Sequence, residues 1–471
     1  MPAWIPKRDD KSPPTDGLPL AARRLAMLTL GIVVTMSVLD SALSNIALPT
    51  IAHDLAASPA AVVWVANAYQ LAVTVSLLPL ASLGDRIGYR RVSMTGLVVF
   101  TVGALGASLA TSLPMLIAMR VVMGLGGAGI MSVNSALVRF IYPRALLGRG
   151  LGMNTLVVAT GMASGPTIAA IILSVLPWPF LFALHVPLGV VAFLLSRHTL
   201  PDTPHGAQPF DLSGAVLNAL TFGLFIFALG GTGHGEAPWL VALQMFGAVV
   251  AGFFFVRRQR HLPLPMLPLD LFRLPIFSLS VGTAICSHLA QTMAFLALPF
   301  WFVAASGASQ TQIGMLMTPW PLMLVVIAPI AGRLSDRHSA GLLGGLGLAV
   351  MSIGLLLVLN LAPDAGFWNV AWRMALCGAG FGFFQTPNNR TLIGSAPRER
   401  SGAASGMLST ARLLGQTTGG ALLALVFGLS TGAGENIAHG ASIAIGIAAG
   451  FSLLGMCISW LRLRLRAPRA R

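Results

Sequence analysis

The sequence predicts an all-α membrane protein with fourteen transmembrane helices, and three observations support that fold class. Of 471 residues, 55% are hydrophobic and only 9% are charged, whereas a soluble domain carries about 25% charged residues. Apolar runs long enough to cross the roughly 30 Å hydrocarbon core of a bilayer recur along the whole chain. Segments of the second half also repeat segments of the first. These features exclude a soluble protein with a single anchor.

The predicted helices are apolar runs bounded by proline, glycine and charged residues. In chain order they are Leu25 to Leu48, Val62 to Leu83, Val92 to Leu109, Met115 to Val138, Leu151 to Leu176, Phe180 to Leu195, Gly214 to Leu229, Trp239 to Val256, Ile276 to Val303, Ile313 to Ala331, Leu342 to Leu361, Trp368 to Leu392, Ala403 to Phe427 and Ile437 to Leu461. The predicted domains are a cytoplasmic tail over 1–24, a six-helix bundle over 25–198, a linker with two inserted helices over 199–260, a second six-helix bundle over 261–462 and a basic cytoplasmic tail over 463–471.

The positive charges predict how these helices are oriented. The net charge is +15, but the Lys and Arg residues lie singly or in small groups between apolar runs, so no basic face forms that could bind nucleic acid. All of the 29 Lys and Arg residues except Arg120 and Arg373 fall at positions on one predicted side, Arg412 among them. Because cytoplasmic loops carry the excess of Lys and Arg, we expect a multi-pass protein of the inner or plasma membrane with both termini in the cytoplasm.

No enzyme, metal site or removable leader is predicted. The chain before the first predicted helix is polar and Pro-rich, unlike the apolar core of a signal peptide. Cys286, Cys377 and Cys457 lie in separate apolar runs, which matches neither a disulfide framework nor zinc spacing. The glycine-rich run over 124–129 fits a dinucleotide motif in letters only, because no strand precedes it, and no P-loop or hydrolase motif occurs.

An internal repeat relates the two predicted bundles. Leu83, Asp85 and Arg86 recur 251 positions later as Leu334, Asp336 and Arg337. At an offset of 254, Pro143, Arg144, Gly148, Gly152, Met153, Gly161 and Gly165 recur as Pro397, Arg398, Gly402, Gly406, Met407, Gly415 and Gly419. Such repeats build transporter bundles that are related by pseudo-symmetry. Because the offset exceeds the length of one six-helix unit, the two remaining helices are predicted to be inserted between the bundles.

Asp40 is the one carboxylate inside any predicted span. A carboxylate at that depth costs several kcal/mol unless it is protonated, paired or open to water, so it predicts a functional site that takes up and releases a proton. Arg120 lies at a similar depth and needs an acceptor, so we expect the two side chains to interact electrostatically. Arg373 has a near-equivalent depth in the second bundle. The alternative is structural, with Asp40 bonding nearby helices and Arg120 bonding backbone carbonyls.

Three segments carry motifs. Residues 39–49 read LDSALSNIALP, residues 81–91 read ASLGDRIGYRR with a shorter copy GRLSDR over 332–337, and the fifth predicted helix carries Gly152, Gly161, Gly165 and Pro166. These segments resemble the first-helix signature, the gate motif and the exporter motif of the major facilitator superfamily, and within it of the fourteen-helix drug:proton antiporters. The departures are Ala81 for the first Gly of the gate motif, and Ala169 and Ala170 for the last two Gly of the exporter motif. In a further motif of that branch, Pro179 and His185 replace Arg and Asn.

The candidate site residues form four groups. They are Asp40 and Arg120 for proton coupling; Asp85, Arg86, Gly88, Arg90, Arg91, Asp336 and Arg337 for a conformational latch; Gly152, Gly161, Gly165 and Pro166 for the antiporter helix; and Asn45, Arg373, His185, His288 and Gln291 for a possible substrate cavity. Each group has a plainer reading, in which the latch charges only fix topology, the glycines only pack helices and the histidines are neutral hydrogen-bonding residues.

The resemblance implies proton-coupled efflux of small lipophilic, neutral or monocationic compounds such as drugs, by alternating access. The expected partners are the substrate, protons and the lipid bilayer, with no nucleic acid; the proton gradient supplies energy, no cofactor is needed, and the chain is expected to act as a monomer. Dications are disfavoured because no second intramembrane carboxylate is visible. Two alternatives stay open, a dedicated exporter of one metabolite and a membrane receptor or scaffold that no longer transports.

Overall fold

The computed structural model describes residues 17–143, 146–203, 210–233, 237–262, 269–335, 337–361, 365–396, 401–432 and 436–464, and within those ranges it is helical with no β-strand. The helices are α1 (Leu20–Asp54), α2 (Pro59–Val62), α3 (Trp64–Ile87), α4 (Tyr89–Ser108), α5 (Leu113–Ile141), α6 (Leu147–Val175), α7 (Pro179–Ala183), α8 (His185–Thr199), α9 (Leu212–Gly233), α10 (Pro238–Gln259), α11 (Pro275–Ser306), α12 (Gln310–Met317), α13 (Pro319–Leu334), α14 (Ala340–Leu359), α15 (Phe367–Gly394), α16 (Ser401–Gly432) and α17 (Ile437–Leu461). Short 3-10 turns cover Leu271–Arg273 and Arg462–Arg464.

Thirteen segments of these ranges are long and apolar enough to cross a membrane. Three of them join two helices across a short break, namely α2 with α3, α7 with α8, and α12 with α13. The predicted span Trp368 to Leu392 forms the 28-residue helix α15, which is long enough but more polar, since it holds Arg373, Asn388 and Arg390. The fold is therefore an all-helical membrane fold with thirteen or fourteen candidate crossings.

Several helices extend past their predicted ends. The first was predicted to end at Leu48, but α1 runs for 35 residues through Pro49 to Asp54. Proline lacks the N–H that an interior helical position donates, which is why it was taken as a helix end. Pro79, Pro166, Pro299, Pro329 and Pro387 likewise lie inside helices. In a bilayer no water competes for the backbone, so a helix continues through a proline that would end it in water.

The helices form two bundles and a hairpin. Helices α1 to α8 pack mainly with one another and form the first bundle, while α11 to α17 form the second bundle. The hairpin consists of α9 and α10, which pack together, and α9 also contacts α3 and α16. The bundles meet where α1 contacts α11, α6 contacts α12, and α3 contacts α16. A cavity between the bundles is therefore bordered by helices of both.

Hydrogen bonds join the bundles at mid-depth and beyond it. We call the side on which α1 begins the N-terminal face, and the other side the opposite face. At mid-depth, Gln70 donates to Gln416 at 3.1 Å, and the hydroxyls of Thr74 and Thr417 lie 3.0 Å apart. Nearer the opposite face, the hydroxyls of Thr167 and Thr318 lie 3.1 Å apart. These bonds connect the two bundles from mid-depth toward the opposite face.

Candidate functional site

The centre of the first bundle holds a buried ion pair. Asp40 lies midway along α1, and Arg120 lies in the second turn of α5. The Nη1 atom of Arg120 is 2.6 Å from Oδ2 of Asp40 and 2.8 Å from Oδ1. Both side chains are only 1% exposed. A buried charge is strongly unfavourable without a partner, so each of these side chains stabilises the other in its ionised form.

Arg120 makes further contacts that fix its position. Its Nε donates to the carbonyl of Val65 at 2.9 Å. Its guanidinium carbon lies 4.5 Å from the ring centre of Tyr69 and 5.5 Å from that of Phe182, which is within cation–π range. The Tyr69 hydroxyl is itself 2.8 Å from Oγ of Ser37 in α1. The guanidinium is thus held by a carboxylate, a carbonyl and two aromatic faces.

His185 lies next to this ion pair rather than in the cavity. It begins α8, is fully buried, and has its Nε2 3.5 Å from Oδ1 of Asp40. Neither ring nitrogen has a hydrogen-bond partner among the described residues. The ring packs 5.5 Å from that of Phe100. The break between α7 and α8 directs this side chain inward, toward α1, and this explains why a histidine predicted in the cavity lies behind it.

A cavity of about 800 Å³, part of it open to solvent, lies between the bundles. Asn45 and Gln291, both predicted for it, contribute to its wall, and so does Arg120, whereas Asp40 does not. The other lining residues are Val38, Ser41, Ala42, Ala66, Asn67, Tyr69, Gln70, Met162, Thr292, Phe295, Leu296, Trp320, Pro321, Leu324 and Gln416. Apolar and aromatic walls with a few polar groups are typical of sites for small organic molecules.

Besides His185, two residues predicted for the cavity are absent from its lining. His288 is 3% exposed and lies behind Gln291, one helical turn away, with its ring 5.3 Å from that of Phe381. Arg373 lies near the start of α15, a helix that packs against α13 and α14 within the second bundle. Its Nε and Nη1 are buried without hydrogen-bond partners in the described part of the chain. The prediction from depth alone was wrong for Arg373 because equal depth does not fix which way a helix faces.

The predicted latch residues of the first bundle lie at the N-terminal face, where α3 turns into α4. Gly88 joins the two helices with a φ of 95°, a left-handed conformation that favours glycine. Asp85 accepts a hydrogen bond from the Tyr89 hydroxyl. Arg90 donates to the carbonyl of Arg197 in the last turn of α8 and to the carboxylate of Asp202 just after that helix. These bonds all stay within the first bundle. Arg86, Arg91 and Arg337 are exposed, and Asp336 lies outside the described residues.

Helix α6 packs closely against α1 of its own bundle and against α12 of the second bundle, and small residues allow both contacts. It holds all four predicted residues, Gly152, Gly161, Gly165 and Pro166. A methyl group at Gly165 would collide with Ala42 of α1, whereas one at Gly161 would lie 3.5 Å from Val38, an ordinary contact. On the other side, a methyl group at Gly314 of α12 would lie 2.7 Å from the carbonyl of Pro166. Gly165 is therefore required for the close helix contact, and Gly161 is not.

One charged residue was assigned wrongly from the sequence. Arg412 was counted with the cations of the inward loops, but it lies within α16 and inside the apolar span Gly406–Ser430. It is eleven residues after the start of α16, or about 17 Å along the axis at 1.5 Å per residue. The predicted span Ala403 to Phe427 already contained Arg412, so counting this residue with the inward loop positions was inconsistent with that span.

Comparisons with known proteins agree with this architecture. The family described as Major Facilitator Superfamily matches residues 30–256 and 281–471. YebQ, an uncharacterized transporter of Escherichia coli (strain K12), is 51% identical over 97% of this chain and 98% of its own length. Multidrug resistance protein Stp of Mycobacterium tuberculosis (strain CDC 1551 / Oshkosh) is 29% identical over 85% of this chain and 75% of its own.

The fold also resembles that of solved transporters. The crystal structure of a bacterial homologue of the human lysosomal transporter Spinster, in an inward-facing and unoccupied conformation, superposes with a TM-score of 0.67. The two sequences are 15% identical, and the match covers 96% of this chain and 100% of the other. That likeness concerns the fold alone. With a family match over most of its length and a half-identical relative, the chain belongs to the major facilitator superfamily and is a membrane transporter, not an enzyme.

Proposed function

We propose that this transporter exports small lipophilic compounds in exchange for protons. The observation that carries the proposal is the buried pair of Asp40 and Arg120, in which the acid is hidden while the guanidinium borders the cavity. A proton that neutralises Asp40 removes the charge that holds Arg120 in place. Arg120 then moves its charge relative to the cavity and the bundle contacts, and this biases the equilibrium between two conformations. No cofactor takes part, and the proton gradient supplies the energy.

The arrangement of the helices supports alternating access. In this proposal α1 to α17 provide fourteen crossings, and the two bundles are related by pseudo-symmetry with the α9–α10 hairpin inserted between them. Both termini are cytoplasmic in the cell membrane, so the N-terminal face is the inner face, and the chain acts as a monomer. The bonds of Gln70 with Gln416 and of Thr167 with Thr318 then favour a form that is closed toward the outside.

Of the neutral and monocationic compounds expected from the sequence, the cavity favours the neutral ones. Asp40, the expected attractor for a cation, is already bonded to Arg120 and does not border the cavity. Besides Arg120, whose charge is paired with Asp40, the cavity offers apolar and aromatic surface, such as Phe295 and Trp320, together with side-chain amides. A multidrug resistance protein among the relatives supports efflux of varied compounds. An exporter of a single metabolite is the second candidate, since it would need the same pair and a narrower cavity.

Proton release tests the coupling directly. Toxic compounds are first identified by the resistance to them that the transporter gives a pump-deficient host. Purified protein in detergent is then mixed with these compounds, and the pH of a weakly buffered solution is followed. We expect proton release from the wild type and none from Asp40→Asn. The matched control is Asp54→Asn, which removes an exposed acid at the end of the same helix. If Asp40→Asn still moves substrate with an unchanged dependence on the pH gradient in inverted vesicles, Asp40 is not the proton carrier. Absence of any proton-linked flux would favour a receptor or scaffold.

A further inference from the structure

His185 of α8 is a buried titratable group beside the pair of Asp40 and Arg120. Its side chain is 0% exposed, and its Nε2 lies 3.5 Å from Oδ1 of Asp40. That distance exceeds the usual hydrogen-bond range of about 2.7–3.2 Å. In the described part of the chain neither ring nitrogen has a hydrogen-bond partner. Because buried polar groups are nearly always bonded, an unbonded imidazole beside a carboxylate indicates a bond that forms in another state of the site.

The carboxylate of Asp40 can accept that bond. In this state Nη1 of Arg120 donates to both of its oxygens, at 2.8 Å to Oδ1 and 2.6 Å to Oδ2. An ionised carboxylate has about four lone-pair sites, so Oδ1 can accept from a second donor. A movement of His185 by about 0.5 Å would bring Nε2 within bonding distance of Oδ1. The guanidinium and the imidazole therefore share one acid.

Asp40 is the acid that faces His185 among the described residues. Helix α8 packs against α1, α4 and α7. The other titratable residues of α1 lie near its two ends, those of α4 in its first turn and those of α8 in its last turn, while α7 has none. From α4 the Phe100 ring packs on the imidazole, and Arg120 of α5 binds the same carboxylate. A proton added to His185 would therefore have Asp40 as its counter-charge.

Another buried histidine, His288 of α11, provides a matched comparison. It is 3% exposed, and its ring lies 5.3 Å from that of Phe381, much as the His185 ring lies 5.5 Å from that of Phe100. Within the described ranges no carboxylate lies within ion-pair distance of His288. The two histidines have similar burial and similar aromatic contacts, and they differ in the neighbouring acid.

We propose that His185 is a second proton-binding group of the coupling site, so that the transported proton lies between its Nε2 and Oδ1 of Asp40. The neutral ring carries its hydrogen on Nδ1 and takes up the incoming proton at Nε2, which then donates to Oδ1. Arg120 loses one of its two acceptors, and this loosens a guanidinium that borders the cavity. The proton belongs to the pair, whichever of the two atoms holds it. This assignment rests on the proposed function, in which Asp40 exchanges a proton, and adds the imidazole to that exchange.

Nitrogen-15 NMR of the full chain in nanodiscs, with ring-labelled histidine, tests the assignment directly. The chain has nine histidines, and the His185 signals are those that His185→Asn removes. We expect them to change from neutral imidazole to imidazolium as the pH is lowered from about 8 to about 5, and to stay neutral in Asp40→Asn over the same range. The His288 signals should stay neutral in both proteins. His185 signals that stay neutral in the wild type, or that titrate alike in Asp40→Asn, would overturn the assignment.

Proton release on addition of a transported compound gives a second measurement. An amide can accept a bond from a protonated carboxyl group, but it does not bind the proton itself. The charge-assisted bond is therefore lost in His185→Asn, and the pH of half-maximal release should fall by about one unit, a tenfold loss of proton affinity. His288→Asn should match the wild type. If His185→Asn does not fold, His185→Gln serves for both the signal assignment and the release assay. A structural role alone would lower the unfolding temperature without moving the pH profile.

The outcomes also separate this assignment from the export proposal. Unchanged pH dependence in His185→Asn, together with loss of release in Asp40→Asn, would overturn the role of His185 and leave proton exchange by Asp40 in place. A wild type that shows no proton-linked flux would overturn the export proposal, and the assignment of His185 with it. A lowered pH of release in His185→Asn, with His288→Asn unchanged, would support both.

Discussion

The energetics of the Asp40–Arg120 pair can be tested by a double-mutant cycle. Both side chains are 1% exposed, so removal of either leaves a charge that water does not reach. Breaking a buried pair from one side costs about 3–5 kcal/mol, whereas replacing both partners by neutral groups is close to neutral. The variants are Asp40→Asn, Arg120→Gln and the two combined, which keep the side-chain shapes nearly constant.

The magnitudes differ between the two single variants. In Asp40→Asn the guanidinium keeps its bond to the Val65 carbonyl and its contacts with Tyr69 and Phe182. Cation–π contacts contribute about 0.5–2 kcal/mol each, so we expect a loss near the lower end, about 3 kcal/mol. In Arg120→Gln the carboxylate loses both of its short bonds to the guanidinium and keeps only the His185 ring at 3.5 Å, so the loss should be about 4 kcal/mol. The double variant should recover to within about 1 kcal/mol of the wild type.

Unfolding in mixed detergent and sodium dodecyl sulfate, followed by tryptophan fluorescence, gives the four free energies. The same preparations are then assayed for pH-gradient-driven transport in inverted vesicles. We expect the double variant to regain stability and to lack coupled transport. A double variant whose destabilisation equals the sum of the two single losses would refute the reasoning, because the pair would then contribute no mutual stabilisation.

Three further predictions concern other parts of the molecule. Gly165→Val should destabilise the α1–α6 contact by about 1–3 kcal/mol through its collision with Ala42 and should abolish transport, while Gly161→Ala should be tolerated; thermal unfolding and vesicle transport check both. Thr74→Cys with Thr417→Cys, at hydroxyls 3.0 Å apart, should cross-link on oxidation and block transport until reduced, whereas Thr74→Cys alone should not respond. Partial burial raises the pKa of Asp211, but hydrogen bonds from Arg258 and from the Gly214 N–H outweigh it and hold the pKa below its ordinary value. The stabilisation that Asp211 provides is therefore present at neutral pH and is lost as the pH falls through that lowered pKa. Asp211→Asn should remove this pH dependence of the unfolding temperature.

The sequence was most informative about the functional site at charged residues, whose burial in the bilayer is energetically costly. Asp40 and Arg120 were identifiable because each is costly in hydrocarbon, and the structure places them side by side. The closeness of His185 to Asp40 was not predictable, because it depends on the break between α7 and α8 and on how α8 packs against α1. The latch residues could be located at a helix turn, but their bonding partners, such as Asp202, lie far along the chain.

Hydrophobic periodicity and composition predicted the positions of the helices more accurately than the residues at which they begin and end. Pro49 inside α1 was a poor boundary signal, because membrane helices continue through proline. Arg373 and Arg412 show that the depth of a residue in its helix does not predict which surroundings its side chain faces. Both lie within helices of the second bundle, yet Arg373 packs within that bundle and Arg412 adjoins a cavity residue, and only the rotation of each helix about its axis separates them.

The place of α9 has a consequence for the surrounding lipid. This helix lies against α3 and α16 at once, the Asn218 side chain donates to the Val75 carbonyl at 2.8 Å, and Ile226 packs with Leu71 and Ala421. An acyl chain drifting in sideways between α3 and α16 would have to displace α9 first. Its contact with α3 is both polar, through Asn218, and apolar, through Leu71, whereas Ala421 of α16 contributes an apolar contact. Helix α9 therefore covers the gap between α3 and α16, through which lipid acyl chains would otherwise have access to the cavity.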